Sequence, residues 1–278
     1  MKVIYFRNEK EVIYFCEKLY QLQDEIHIQW KKDPYWGNEL RIQDDRVSMD
    51  TVISCLVEVF TYVHLNKILK QIAREKYHYS DQEEIERICH LTNWIIFEKH
   101  YQVKLFEEEI HYGDYLYSIL KQNVEQNYPI HFDSLITFSA QPFHEKLKEA
   151  VGYGIDELKR EEEHQNFIQS IRDFTKRQQS KSKELHIIQG KNFSFYKSNG
   201  DQYSRFELKT LLHNEPLYIL GLDKNEMNLS PVIALMPEKI FIYGDHPAEA
   251  KTLALINIFQ ERVTFFPKEQ FPFRSHVN

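Results

Sequence analysis

Across residues 48–75 neither glycine nor proline breaks the chain, and Ile53, Leu56, Val57, Phe60, Val63, Leu65, Ile68, Leu69 and Ile72 recur every three or four positions. That spacing lines the apolar side chains along one side of an α-helix, which gains stability only by burying them against partners. A helix this long therefore predicts a bundle around it. Ser80 followed by Glu83 has capping-box spacing, so a second helix is expected to start there and run through Ile85, Ile88, Leu91, Trp94 and Ile95. Residues 112–124 continue the helical region. A further long helix is expected over about 142–176, interrupted or bent where Gly152 and Gly154 fall.

Both flanks change character. Residues 3–6 are β-branched and aromatic, as a short strand requires, and Val12, Ile13, Phe15, Cys16, Leu19 and Tyr20 follow at mostly helical spacing. Residues 26–30 and 40–43 flank Asp33-Pro34-Tyr35-Trp36-Gly37-Asn38, which predicts a hairpin with a six-residue connection. At the other end, residues 177–183 lack any apolar side chain and read as a helix end or linker. Beyond them, 185–188 and 193–196 read as strands around Gly190, and Ser204 with Glu207 offers another capping box. Ser230-Pro231 supplies an N-cap and a first-turn proline for a short helix stopped at Pro237. A strand over 240–243, a helix opened by Pro247 and running to Phe259, and a strand over 263–266 make a βαβ crossover. The expected fold is α+β and predominantly helical. It has a small α/β piece over 1–46, a helical bundle over 47–178 and a C-terminal α/β unit over 179–278.

Composition narrows the function classes. Acidic residues outnumber basic ones by 42 to 35, a net charge of −7, so nucleic-acid binding would work against the overall field. Cys16, Cys55 and Cys89 lie far apart with no Cys-x-x-Cys pair, and read as buried thiols in a reducing compartment. Lys2, Arg7, Glu9 and Lys10 interrupt the start too soon for a secretory signal. The most apolar stretch, 51–65, contains Glu58 and His64 and is shorter than the roughly 20 apolar residues of a spanning helix. A cytoplasmic location with no membrane span is expected.

No complete catalytic motif is present. Gly152-Tyr153-Gly154 is followed by Asp156 and Glu157 instead of a third glycine, which removes the phosphate-cradle reading. His144-Glu145 is followed by Lys148 where a zinc-protease helix needs its second histidine, and no Gly-x-Ser-x-Gly elbow occurs. The sharpest pattern is a pair of Glu-x-x-His motifs, Glu108 to His111 and Glu161 to His164. On two helices, with further carboxylates such as Glu58, that spacing builds a dinuclear metal site inside a bundle. Both motifs sit in polar runs that solvated helix faces explain, so no metal and no cofactor are expected. Asp245-His246, at a strand-to-helix turn, reads as a helix cap ahead of an anion site. Arg172, Lys176, Arg177, Lys181 and Lys183 suit a helix C-terminus. His64 and His90 interrupt apolar stripes and are expected to be hydrogen-bonded and partly buried. The tail Phe271-Pro272-Phe273-Arg274 reads equally as an anchor on its own domain or as a docking peptide.

Two stretches carry a resemblance. One is the long helix leading into Ile72-Ala73-Arg74-Glu75-Lys76-Tyr77-His78-Tyr79 and Asp81-Gln82-Glu83-Glu84-Ile85. The other covers 229–242, with Pro237-Glu238-Lys239-Ile240-Phe241-Ile242, and then Ile258-Phe259-Gln260-Glu261-Arg262-Val263. Together they resemble the YtxC-like family of sporulation proteins from endospore-forming bacteria, and length and element order extend the similarity over most of the chain. These are packing patterns, so no catalytic residue carries over. Family members often have cysteines after the final strand, whereas this chain has Phe265, Phe266 and Pro267. The resemblance implies a sporulation-associated role, and the absence of a catalytic motif points to an interaction or scaffold protein with a protein partner. The alternative is an enzyme using the Glu/His set as a metal site.

Overall fold

A computed structural model of the chain describes residues 1–97, 112–124, 129–223 and 225–273. It is an α+β protein, predominantly helical, with two mixed four-stranded sheets. Compactness divides the chain into Met1–Arg160 and Glu161–Asn278. The sequence-based boundaries at 46 and 178 follow changes of composition, whereas this division follows burial. Ile4, Leu40 and Ile42 share one core with Ile53, Leu56 and Phe60, and Ile168 and Ile171 belong to the core of the second unit.

The first unit opens with β1 (Lys2–Phe6), α1 (Glu9–Leu22), β2 (Ile28–Asp33) and β3 (Gly37–Ile42). The helical run follows as α2 (Met49–Val59), a π-helical segment (Phe60–Leu65) and α3 (Asn66–Glu75). After α4 (Gln82–Phe97) and α5 (Tyr112–Val124) come β4 (Ile130–His131), α6 (Phe132–Ser134), a second π-helical segment (Leu135–Ser139) and α7 (Gln141–Arg177), which crosses the division. The sheet order is β2-β3-β1-β4, with β4 parallel to β1 and the other pairs antiparallel. By length and composition Met49–Glu75 is apolar enough to cross a membrane, a test a core helix also passes. Here Val52, Ile53, Leu56, Val59 and Phe60 are fully buried in the unit's core.

Three local expectations change. The cap of α4 is Asp81, not Ser80: its Oδ1 accepts from the Glu84 amide at 2.9 Å, one residue on from the expected box. The β2–β3 connection is three residues, 34–36, because pairing extends to Asp33 and Gly37. Gly152 and Gly154 do not interrupt α7, which runs through both. They are places of close approach instead. A Cβ on Gly152 would lie 2.7 Å from Tyr77 Oη, and one on Gly154 would lie 3.2 Å from the Ile88 carbonyl and overlap Thr92 Oγ1.

The second unit contains β5 (Ser182–Ile188), β6 (Ser194–Tyr196), α8 (Arg205–Asn214), α9 (Leu229–Leu235), β7 (Pro237–Tyr243), α10 (Ala250–Phe259) and β8 (Val263–Phe266). The order β6-β5-β7-β8 has β5, β7 and β8 mutually parallel, so β7-α10-β8 is the expected crossover. The Ser204–Glu207 capping box forms. Ser230 does not cap α9, which starts one residue earlier; the Glu226 carboxylate accepts from the amides of Asn228, Leu229 and Ser230 at 2.7–2.8 Å and satisfies that end. Pro247 lies in the turn before α10 and does not open it. The segment after α7 is tied down where its side chains promised no anchor: the Lys181 amide donates to the Met236 carbonyl at 3.0 Å and Ser182 Oγ to the Leu235 carbonyl at 3.2 Å.

Candidate functional site

The β2–β3 hairpin is shaped by two residues. Asp33 Oδ1 accepts from the amides of Tyr35 at 2.9 Å and Trp36 at 2.8 Å, which closes the turn. Gly37 then takes φ +89°, and a Cβ there would lie 2.7 Å from the Phe6 carbonyl, so only glycine fits. This holds Tyr35 and Trp36 outward at 88% and 57% exposure. Trp30 is fixed by its indole N–H, which donates to Asn38 Oδ1 at 3.1 Å.

Strand alternation sends Ile4, Phe6, Leu40 and Ile42 into the core and Tyr5, Glu39, Arg41 and His131 to the opposite face. On that face the His131 ring stacks on Tyr5 at 4.8 Å, and the Trp36 ring meets His131 edge-on at 4.5 Å. Glu39 is nearly fully covered. Tyr5 Oη donates to its Oε2 at 3.2 Å, Lys31 Nζ lies 3.4 Å away, and Arg41 bonds its other oxygen. Burial alone would raise the Glu39 pKa, but Arg41 and Lys31 outweigh it and hold the carboxyl below its ordinary value. Burial and the neighbouring Glu39 carboxylate raise the Tyr5 hydroxyl. The face thus combines outward Trp and Tyr rings with an arginine, residue types that dominate binding hot spots. The Glu39 carboxylate on it is committed to Arg41 and Lys31.

A second titratable group sits inside the same unit. Asn8 and Glu11 form a capping box at the start of α1, and the buried Glu11 carboxylate also accepts from Asn8 Nδ2 at 2.7 Å and the Arg7 amide at 3.1 Å. His64, delivered by the π-helical segment, places Nε2 2.8 Å from Glu11 Oε1. Burial would raise this carboxyl; the bonds from His64 and from the Asn8 and Arg7 amides win, and its pKa is lowered. His64 is thus the hydrogen-bonded, partly buried histidine expected of it. His90 is exposed.

The Glu/His set is placed as follows. Glu108 and His111 lie outside the described residues. Glu161 and His164 lie on α7, with His164 exposed. Glu58 lines a groove of about 420 Å³ with Lys18, Cys55, Asp114 and Tyr117, and pairs with Lys18 at 3.5 Å. Among the described residues no three His, Cys, Asp or Glu side chains converge as metal ligands. Burial pushes the Cys55 thiol up to about 12 and those of Cys16 and Cys89 up to about 11, so all three stay protonated near neutrality.

Neither Asp245 nor His246 caps α10 with its side chain. Gln189 holds that turn, donating to the His246 carbonyl at 2.7 Å, accepting from its amide at 3.1 Å and donating to Thr252 Oγ1 at 2.7 Å. The place where an α/β sheet would receive a ligand is filled by this glutamine. In the basic stretch, Arg172 donates to the Asn257 carbonyl and Lys181 pairs with Glu215. Phe271 and Phe273 anchor on their own unit, while Arg274 lies outside the described residues. The Tyr5–His131–Trp36 group escaped sequence reasoning; its one legible sign is the pair of large aromatics inside a turn ending in glycine.

These features join what comparison with known proteins shows. A relative from Bacillus subtilis (strain 168), named "Uncharacterized protein YtxC", is 26% identical over 227 residues, covering 78% of this chain and 76% of that protein. No solved structure matches. The model of the YtxC-like family matches residues 50–264, spanning α2 through β8, and with most of the chain covered, the protein belongs to the YtxC-like family.

Proposed function

We propose that this protein is a cytoplasmic, sporulation-associated binding or scaffold protein that acts through a protein partner and performs no catalysis. The observation that carries the binding role is the outer face of the N-terminal sheet, where Trp36 and Tyr35 stand exposed beside Tyr5, His131 and Arg41. Rigid rings held outward by a hairpin cost little entropy to bury, which suits recognition more than chemistry. The committed ionisable pairs, Glu39 with its cations and Glu11 with His64, support the non-catalytic part. The sporulation role rests on the resemblance carried by residues 72–85 and 229–263, and the cytoplasmic location on the three free thiols.

Gene deletion in the host, followed by complementation, tests the reading. Deletion should lower spore yield or alter spore properties while vegetative growth stays near normal. A Tyr35→Ser/Trp36→Ser variant, changed only at exposed positions, should accumulate normally yet fail to restore sporulation. Variants Glu108→Ala/His111→Ala and Glu161→Ala/His164→Ala should restore it. Loss of complementation by either Glu/His variant at normal abundance, with the aromatic variant fully active, would replace this reading by the metal-enzyme alternative. Equal defects in growth and sporulation would refute the sporulation role.

A further inference from the structure

In the second unit, alternation divides the sheet as it does in the first. Leu185, Ile187, Ile240 and Ile242 join the helices in the core, and His186, Tyr196, Phe241, Tyr243 and Phe266 face the other way. No helix covers that second face among the described residues; the end of the chain does. After β8 a short 3₁₀ turn (Lys268–Gln270) leads Phe271 and Phe273 across it. Phe271 packs edge-on against Tyr196 at 4.9 Å and Tyr243 at 5.2 Å, and Phe273 against His186 at 5.0 Å. Gly200, at φ +91°, makes room: a Cβ there would lie 2.6 Å from the Phe273 ring.

His186 lies under this cover, 7% exposed, with Nδ1 3.0 Å from Tyr243 Oη and rings of Phe241, Tyr243 and Phe273 around it. Its own strand contributes Glu184, β6 contributes Tyr196, and β7 contributes Tyr243 with Lys239 opposite Glu184 in register. Among the described residues the strap contributes rings at the contact, and its Lys268 and Glu269 are exposed on the turn. An imidazolium here would gain one carboxylate at the strand's edge and lose its water. We infer that residues 267–273 form a proton-gated strap, seated over the aromatic face while His186 is neutral and released when His186 is protonated.

The direction of the effect follows from linkage. Burial lowers the His186 pKa, with Glu184 opposing, so the seated state favours the neutral ring. Seating is therefore fully favoured above the ordinary value of 6.5, weakens as pH falls below it, and levels off under the lowered value. Within that window one linked proton changes the equilibrium about tenfold per pH unit. Release uncovers Tyr196, Tyr243 and Phe241 as an apolar surface, a property beyond the binding role proposed for the first unit.

Hydrogen exchange on the full chain reads the strap directly. The Gln270 and Phe271 amides donate to the Pro267 and Lys268 carbonyls at 3.0 and 3.2 Å, and their protection factors, taken relative to an unstructured peptide at the same pH, cancel the intrinsic rate. Between pH 7.5 and 5.5 these should fall by up to about tenfold while amides of β7 hold. His186→Phe, which keeps the ring but cannot be protonated, should abolish the change. An NMR titration of the wild-type His186 imidazole should give a midpoint below 6.5, at the pH where the loss of protection levels off. Protection independent of pH, a pH response surviving in His186→Phe, or a His186 midpoint at or above 6.5 would each overturn the inference.

Discussion

Gly154→Ala isolates the packing of α7 on α4. In a helix interior, replacing glycine by alanine ordinarily stabilises by about 0.5–1 kcal/mol, because the unfolded chain loses freedom. At Gly154 the new Cβ would stand 3.2 Å from both the Ile88 carbonyl and the Thr92 amide, and would overlap Thr92 Oγ1. Thr92 cannot swing aside cheaply. It is fully buried, and its hydroxyl donates to the Ile88 carbonyl at 2.7 Å, so rotation would strand a buried polar group. Overpacking of this kind costs about 1–3 kcal/mol, which cancels the propensity gain and leaves a net loss of up to about 2.5 kcal/mol. Gly113→Ala in α5 is the control: nothing lies within 4 Å of its Cβ, so it should gain up to about 1 kcal/mol. Urea unfolding, compared at constant m, reads both changes. A Gly154→Ala variant stabilised as much as Gly113→Ala would refute the close approach of α4 and α7.

Phe60→Ala should cost about 3–5 kcal/mol, since Phe60 is fully buried and packs edge-on against Phe143 at 5.6 Å; a loss below about 1 kcal/mol in urea unfolding would remove it from the core. Glu11, whose pKa is lowered in the fold, contributes stability that is fully present above its ordinary 4.5 and is lost as pH falls through the lower folded value. The stability gap between wild type and Glu11→Gln should therefore narrow as the pH is taken from 6 towards 3, and a gap constant across that range would contradict the pairing. Cys55 and Cys89, at about 12 and 11, should resist alkylation at pH 7.5 until the protein unfolds, so fast labelling of native protein would show that burial is not what raises them.

How far the sequence reaches is clearest where structure departs from it. Periodicity over 48–75 and 142–176 located the long helices, because a helix face is written by residues three and four apart. The strand–helix–strand ending was legible for the same reason, as was the Ser204 capping box. Which of two adjacent cap formers is used, Ser80 or Asp81, was not, since both offer an oxygen and only the path of the incoming chain selects one. Gly152 and Gly154 looked like breaks because local propensity penalises them; the compensating contacts come from Tyr77 and Thr92, on other elements.

For the candidate site the division is sharper. The sequence by itself determined that a turn joins the two strands and that Tyr35 and Trp36 lie within it, though not that the turn is only three residues long. Only the tertiary structure decided that a two-residue strand at 130–131 would pair with β1 and set His131 on Tyr5, and that Glu39 would be enclosed by Lys31, Arg41 and Tyr5. The same holds for Glu11 with His64 and for His186 under Phe273. Turn chemistry and amphipathic spacing are settled by neighbours a few residues apart, whereas these partners are distant in the chain and meet only once burial of the shared core has fixed the backbone path between them.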